Sequence, residues 1–200
     1  MKKQVVIYQL VLDRSGSMQD IASESVSGFN EQVQRIRELS EHYPEQDIRI
    51  NLCLFNHVIR QELKNASPGL LAELTVKTYN PNGMTALYDA VGQSIRQVKK
   101  LKENRQYKVY FVILTDGHEN SSTSYTYEEV RRSIERLENR GKWQFSYLGS
   151  TLDAVEIARS LNISEDNAIC FKKENVKDAM EKSSKLLTSF IIEPDNDEND

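Results

Sequence analysis

The sequence is short of cysteine, proline and glycine, with 2, 4 and 8 of these residues among 200. Two cysteines are too few for a disulfide scaffold, and 8 glycines exclude a collagen-like repeat. No apolar run approaches the roughly 18 residues of a membrane span, and the first apolar segment breaks off too soon for a signal peptide. Cys53 and Cys170 both lie in apolar segments, which predicts two buried thiols in a reducing, cytoplasmic compartment.

A surplus of positive charge is also missing. The net charge is −4, but residues 193–200 hold five carboxylates and no base, which leaves about +1 for the rest of the chain. Binding to nucleic acid through its phosphates needs a basic surface, so we do not expect a nucleic-acid partner. With 38% hydrophobic residues and a mean hydropathy of −0.59, we expect one domain over residues 1–192 and a disordered acidic tail over residues 193–200.

The apolar segments indicate a mostly parallel β-sheet. Two of them are near-continuous apolar runs, which is the pattern of strands covered on both faces. Val58–Leu63 follows a two-residue turn after another such segment, which predicts an antiparallel edge strand. The five predicted buried strands are Val5–Leu12, Ile48–Phe55, Lys108–Leu114, Trp143–Leu148 and Ala168–Phe171.

Segments with helical periodicity separate these strands. Their apolar residues recur at steps of three to five positions, as on one face of a helix. Strands that alternate with helices predict an α/β fold, with a doubly wound, mostly parallel central sheet, helices on both faces and one antiparallel edge strand. The predicted helices are Asp20–Glu41, Thr85–Lys102, Tyr127–Asn139, Leu152–Leu161 and Asn175–Ile191.

Polar residues directly follow two of the predicted strands. Asp13, Ser15 and Ser17 come after the first strand, and Asp116 comes after a later one. Doubly wound sheets bind ligands beyond the carboxyl ends of their strands, and Asp13 follows a buried run, where an unpaired charge is costly. A third polar loop leads to Thr85, at the predicted start of a helix. These five side chains form the predicted site.

The donor set indicates which metal would bind. Five oxygen ligands without sulfur or imidazole favour Mg²⁺, with Mn²⁺ and Ca²⁺ as alternatives, over zinc or copper. Only two of the five side chains are charged, so a bound dication keeps positive character and attracts a further carboxylate. Helix capping is the alternative interpretation of the same serine, threonine and aspartate residues.

At these residues the sequence resembles the von Willebrand factor A domain family, which includes the integrin inserted domains. The family's metal-ion-dependent adhesion site consists of an Asp-x-Ser-x-Ser loop, a threonine in a later loop and an aspartate after a central strand. Asp13, Ser15, Ser17, Thr85 and Asp116 match all five positions. The resemblance spans nearly the whole chain. It implies a Rossmann-like fold with a complete metal site, and a small stand-alone member of the bacterial type.

The resemblance and the donor set together predict a metal-dependent protein-binding module and not an enzyme. A divalent cation at the carboxyl edge of the sheet would capture an acidic residue of a partner protein, and a membrane is not an expected partner. The alternative is a magnesium-dependent phosphatase or phosphotransfer enzyme with Asp13 as nucleophile. Phosphatases that resemble the haloacid dehalogenases have a second aspartate two residues after the nucleophile, where this chain has Ser15.

Overall fold

A six-stranded sheet forms the centre of the structure. The computed structural model describes residues 3–101, 107–149, 154–171 and 175–192. Its strands are β1 (Gln4–Asp13), β2 (Gln46–Phe55), β3 (Ile59–Ala66), β4 (Tyr107–Thr115), β5 (Trp143–Gly149) and β6 (Ala168–Cys170). They lie in the order β3-β2-β1-β4-β5-β6, with β3 antiparallel to β2 and all other neighbours parallel. The predicted α/β class, with one antiparallel edge strand, is confirmed.

Helices cover both faces of this sheet. They are α1 (Ala22–His42), the single turn α2 (Val76–Tyr79), α3 (Leu87–Lys100), α4 (Tyr127–Glu138), α5 (Ala154–Ser160) and α6 (Val176–Ile192). The predicted boundaries of the five longer helices agree with the observed ones to within two residues where the structure describes them. The predicted helix end at Lys102 and the predicted helix start at Leu152 lie outside the described residues. The start of α1 shifts because residues 16–21 form a 3₁₀ turn first. Within the described ranges, no helix has the length and hydrophobicity of a membrane span.

The central strand β1 contributes side chains to two separate cores. Val6, Tyr8 and Leu10 pack with α1 and α6, whereas Ile7 and Val11 pack on the opposite face with α3, α4 and α5. Burial on both faces explains the near-continuous apolar run. The chain leaves β1 toward β2 on one side and returns to β4 on the other, so the winding direction reverses between β1 and β4. Ligand sites of such sheets lie at this reversal.

The prediction of two buried cysteines is only half right. Cys53 in β2 is buried, but Cys170 in β6 is exposed. The three residues of β6 pair with β5 along one edge only, and just the middle one, Ile169, is buried. The apolar neighbours of Cys170 in the sequence therefore did not imply burial, because the strand is a short edge strand.

A buried polar network ties α1 and α6 to the sheet. Gln32 in α1 donates from Nε2 to the Tyr8 hydroxyl at 2.8 Å, and the Ser184 hydroxyl in α6 donates to Gln32 Oε1 at 2.6 Å. All three side chains are buried, and burial raises the pKa of Tyr8 well above its usual value. A satisfied network of this kind fixes the position of both helices.

We predict that Tyr8→Phe lowers the free energy of unfolding by about 1–3 kcal/mol, because the Gln32 amide loses its acceptor in a buried place. The double variant Tyr8→Phe/Gln32→Leu should regain more than half of this loss, since Ser184 also donates to the Met180 carbonyl at 3.1 Å. Urea unfolding measures both variants. A double variant no more stable than Tyr8→Phe alone would contradict the assignment.

Candidate functional site

Three loops meet where the winding reverses, at the carboxyl ends of β1 and β4. The first follows β1, the second precedes α3, and the third follows β4. In the first loop the Ser15 amide donates to Asp13 Oδ1 at 2.7 Å. The Gly16 amide donates to the Gly83 carbonyl at 2.9 Å and joins the first loop to the second. The Asn120 amide donates to the Thr85 carbonyl at 3.0 Å and joins the second loop to the third.

The three predicted hydroxyl groups converge on one point. Ser15 Oγ and Ser17 Oγ lie 3.1 Å apart. A methyl group placed on Gly117 would lie 3.2 Å from Ser17 Oγ, 3.2 Å from Thr85 Oγ1 and 3.7 Å from Ser15 Oγ. Ser17 Oγ also donates to Asp116 Oδ1 at 2.6 Å. The structure thus brings Ser15, Ser17, Thr85 and Asp116 to one place, from three loops.

Asp13, the last residue of β1, is fully buried. Its Oδ1 accepts from the Ser15 amide, and its Oδ2 accepts from the Thr115 hydroxyl at 2.6 Å. Burial raises its pKa from 3.8 to about 6, against the opposing effect of these hydrogen bonds. A nucleophile needs access to its substrate, whereas both oxygens of this carboxylate are occupied. The geometry therefore weighs against the phosphotransfer alternative.

Several residues that sequence reasoning missed hold the loops in place. Asn56, in the turn before β3, donates from Nδ2 to the Asn82 carbonyl at 2.8 Å, and its own carbonyl accepts from the Ala86 amide at 3.0 Å. The Asn120 side chain accepts from the Thr85 amide at 2.8 Å. The Tyr79 hydroxyl donates to the Asp13 carbonyl. Asparagine and tyrosine in turn segments carry no pattern that marks such roles.

The third loop is fastened to the start of α3 by a buried carboxylate. Asp89 accepts hydrogen bonds of 2.7–3.0 Å from the amides of Thr123, Ser124 and Tyr125. Glu119 accepts in the same way from the Tyr88 amide at 2.9 Å. The loop after β4 is therefore fixed on both sides of its contact with the second loop.

Helix capping does not account for the predicted site residues. The cap positions of α1 and α3 are Ile21 and Ala86, and neither makes a side-chain capping bond. Ser15 occupies the cap position of the 3₁₀ turn but likewise makes no capping bond. The Ser15 and Ser17 hydroxyl groups instead contact each other, and Ser17 donates to Asp116, so the capping interpretation is not supported.

The residues present fit a hard divalent cation. Three hydroxyl oxygens surround one point. The Asp116 carboxylate accepts from the Ser17 hydroxyl, and the Asp13 carboxylate accepts from the Ser15 amide. Within the described ranges, no group of three or more histidine, cysteine, aspartate or glutamate side chains offers another arrangement for a metal ion. An all-oxygen donor set of this kind suits Mg²⁺, Mn²⁺ or Ca²⁺.

Comparison with known proteins agrees with this arrangement. The model of the von Willebrand factor type A domain matches residues 9–185. The chain belongs to this family. A search of the curated proteins finds no match.

Several solved structures share the fold at low sequence identity. The von Willebrand factor domain of the pilus tip protein Mfa5 from Porphyromonas gingivalis is 11% identical, with a TM-score of 0.67 and 98% of each chain covered. The pilus adhesin SpaC from Lactobacillus rhamnosus GG is 13% identical, with a TM-score of 0.68, over 94% of this chain and 30% of SpaC.

A third relative is proximal thread matrix protein 1 from the mussel byssus. It is 15% identical, with a TM-score of 0.64, over 92% of this chain and 46% of the mussel protein. This chain therefore spans less than half of the mussel protein and of SpaC. Another structure of the mussel protein, 13% identical over the same shares of both chains with a TM-score of 0.61, has a zinc-occupied metal-ion-dependent adhesion site.

We predict that Asp13→Asn stabilises the metal-free protein at alkaline pH. The pKa of Asp13 is higher in the folded protein than 3.8, so the folded protein holds this proton more tightly, and stability falls as the pH rises from about 4 through about 6. At about 1.4 kcal/mol per pKa unit, the ionised carboxylate costs about 3 kcal/mol at pH 8. An asparagine avoids this cost, and its amide donates to Thr115 Oγ1, which can donate to the Gly117 carbonyl at 3.2 Å.

The measurement is urea unfolding in EDTA between pH 4 and pH 8. The advantage of Asp13→Asn should grow with pH and vanish near pH 4, and the exposed Asp166→Asn, as control, should follow the parent chain. If Asp13→Asn were equally stable or less stable than the parent at pH 8, the assignment of a strained buried charge would be wrong.

Proposed function

We propose that this protein is a metal-dependent protein-binding module. A divalent cation, Mg²⁺ in the first place, would be held by Asp13, Ser15, Ser17, Thr85 and Asp116 and would capture a carboxylate of a partner protein. The observation that carries the proposal is the convergence of three hydroxyl oxygens on the point above Gly117. Membership of the von Willebrand factor type A family supports it.

The hydrogen bonds indicate which groups would face the cation. Both oxygens of Asp13 accept from Ser15 and Thr115, and Oδ1 of Asp116 accepts from Ser17. The neutral hydroxyl oxygens would therefore be nearest to the ion. Asp116 would act through the Ser17 hydroxyl, and Asp13 would act through the Ser15 amide and the Thr115 hydroxyl that hold it. An ion surrounded mainly by neutral oxygens keeps its attraction for an outside anion.

The open side of the site supports capture from solution. Ser17 is exposed, although Asp13, Ser15 and Thr85 are buried. Met84, beside Thr85, is 55% exposed. A partner's carboxylate would approach from this side, where it can complete the coordination of the ion with its own oxygen.

Three further expectations belong to the same proposal. The protein would act as a single domain over residues 1–192 with residues 193–200 as an acidic tail. It would be a small stand-alone member of the bacterial type in the cytoplasm, as two thiols outside any disulfide favour. It would also act without catalysis, which the occupied oxygens of Asp13 support.

We predict that Gly117→Ala weakens the binding of Mg²⁺ or Mn²⁺ by roughly 10–100-fold or more, because the new methyl group lies between the hydroxyl groups. The backbone of Gly117 is outside the left-handed region, so the cost in stability should be small, about 1 kcal/mol. Calorimetric titration and the thermal shift on adding metal measure the effect. Gly69→Ala is the matched control, since nothing lies within 4 Å of its methyl group. Unchanged affinity in Gly117→Ala would contradict the proposed position of the ion.

We also predict that partner proteins are retained from the native host's extract only when metal is present. The immobilised full chain should retain them in Mg²⁺ and release them in EDTA, and Gly117→Ala should fail to retain them. Gly69→Ala should behave as the parent chain. Proteins that stay bound in EDTA, and equally to Gly117→Ala, would show that binding occurs without the metal site and would contradict the proposed function.

A further inference from the structure

Arg14 stands inside the site loop, between Asp13 and Ser15. Its backbone is fixed on both sides, because its amide donates to the Phe55 carbonyl at 2.7 Å and its carbonyl accepts from the Asn82 amide at 2.9 Å. The residue is only 8% exposed. A long cationic side chain is thus held against the same loops that shape the candidate metal site.

Among the described residues, the guanidinium group of Arg14 has no ion-pair partner. Its Nε is buried and without a hydrogen-bond partner. Across the described ranges, the terminal nitrogens also form neither a hydrogen bond nor an ion pair. Arginine is almost never buried to this degree unless it is paired, and leaving such a group unpaired costs free energy. The site loop therefore holds an arginine whose guanidinium N–H groups donate no hydrogen bond to the described residues.

A second arginine stands close to the first. The Arg14 amide donates to the Phe55 carbonyl. Phe55 pairs with Ile59 in the adjoining strand β3, and the exposed Arg60 follows Ile59. The main charges that act on Arg14 besides burial are those of Arg60, which lowers its pKa, and Glu62, which raises it. Two positive charges, those of Arg14 and Arg60, are therefore opposed by one negative charge, that of Glu62, on this side of the first loop.

We propose that Arg14, with Arg60 beside it, binds a second carboxylate of the partner segment that the metal site captures. The partner would therefore offer two acidic side chains close together. This inference rests on the proposed function, because the first carboxylate is the one held by the cation. The planar guanidinium group matches a carboxylate in two-point geometry, and hydrogen bonds between such charged groups are among the stronger ones in proteins.

The position of Arg14 supports the proposal that one segment of the partner carries both carboxylates. Arg14 lies between Asp13 and Ser15 in the chain, so its backbone adjoins two of the residues that are proposed to hold the cation. Glu62 is the one acidic group on β3 that acts on Arg14, and the two form no ion pair. Among the residues that the structure describes, no acidic group therefore forms an ion pair with Arg14.

The test uses two anionic probes on the full chain in saturating Mg²⁺. One is acetate, with a single carboxylate, and the other is an acetylated tetraglutamate peptide. Arg14→Gln should weaken the binding of tetraglutamate by roughly tenfold or more, with little change in the affinity for acetate or for Mg²⁺ itself. Arg60→Gln should weaken the binding of tetraglutamate less than Arg14→Gln does, because the Arg60 side chain is exposed. Lys64→Gln, on the same strand β3, is the matched control and should change neither affinity.

Nuclear magnetic resonance of the Arg14 Nε–H group gives a readout that does not depend on the folding of a variant. In the parent chain its resonance should shift when tetraglutamate is added in Mg²⁺ and stay in place when acetate is added. A resonance that stays in place when saturating tetraglutamate is added in Mg²⁺ would overturn the proposal.

Two failures are distinguishable. If neither probe binds in Mg²⁺, the proposed function itself is wrong, and the role of Arg14 falls with it. If both probes bind in Mg²⁺ and not in EDTA, but Arg14→Gln leaves tetraglutamate unaffected or weakens acetate equally, the second carboxylate site alone is wrong. Equal weakening of acetate would mean that Arg14 acts only through its charge on the anion at the metal.

Discussion

The rest of the site depends on one buried charge, the carboxylate of Asp13 at the end of the central strand. It is fully buried, and its pKa is raised to about 6, so its ionised form costs free energy in the absence of a cation. The hydroxyl of Thr115 and the amide of Ser15 offset part of that cost. A cation bound beside this carboxylate, where the sheet reverses its winding, would gain the most binding free energy. It would neutralise a buried charge that is unfavourable in the folded protein.

Precision in the site comes from bonds between loops, not from the loops themselves. The turn of Asn56 and the second loop are joined by side-chain and backbone hydrogen bonds, and Asn120 joins the second loop to the third through both its amide and its side chain. These bonds set the three hydroxyl groups around the space above Gly117 before any ion arrives. Ligand groups that are already in position lose less entropy on binding. A small residue at Gly117 is what leaves that space open.

Periodicity allowed the fold to be predicted from the sequence, and polarity singled out five candidate residues at the carboxyl ends of the strands, because both signals are local. Apolar runs of β1 and β4 mark strands buried on two faces, and oxygen-bearing residues directly after them lie at the ligand-binding edge of a parallel sheet. The sequence could not show that Thr115 pairs with Asp13 or that Asn56 spans two loops, since these contacts join positions far apart in the chain. The prediction that Cys170 is buried was wrong for a related reason, because the apolar character of its segment does not reveal that β6 is an edge strand. The unpaired state of Arg14 likewise becomes visible only when its surroundings are known.

The most direct test of the account is the position of a bound ion. Crystals of the full chain grown with Mn²⁺ permit anomalous diffraction at the manganese edge, which locates the metal without reference to any proposed role. The account predicts one strong peak within about 2.6 Å of the hydroxyl oxygens of Ser15, Ser17 and Thr85. A peak at another surface of the protein, or no peak at a concentration that saturates binding in solution, would contradict it.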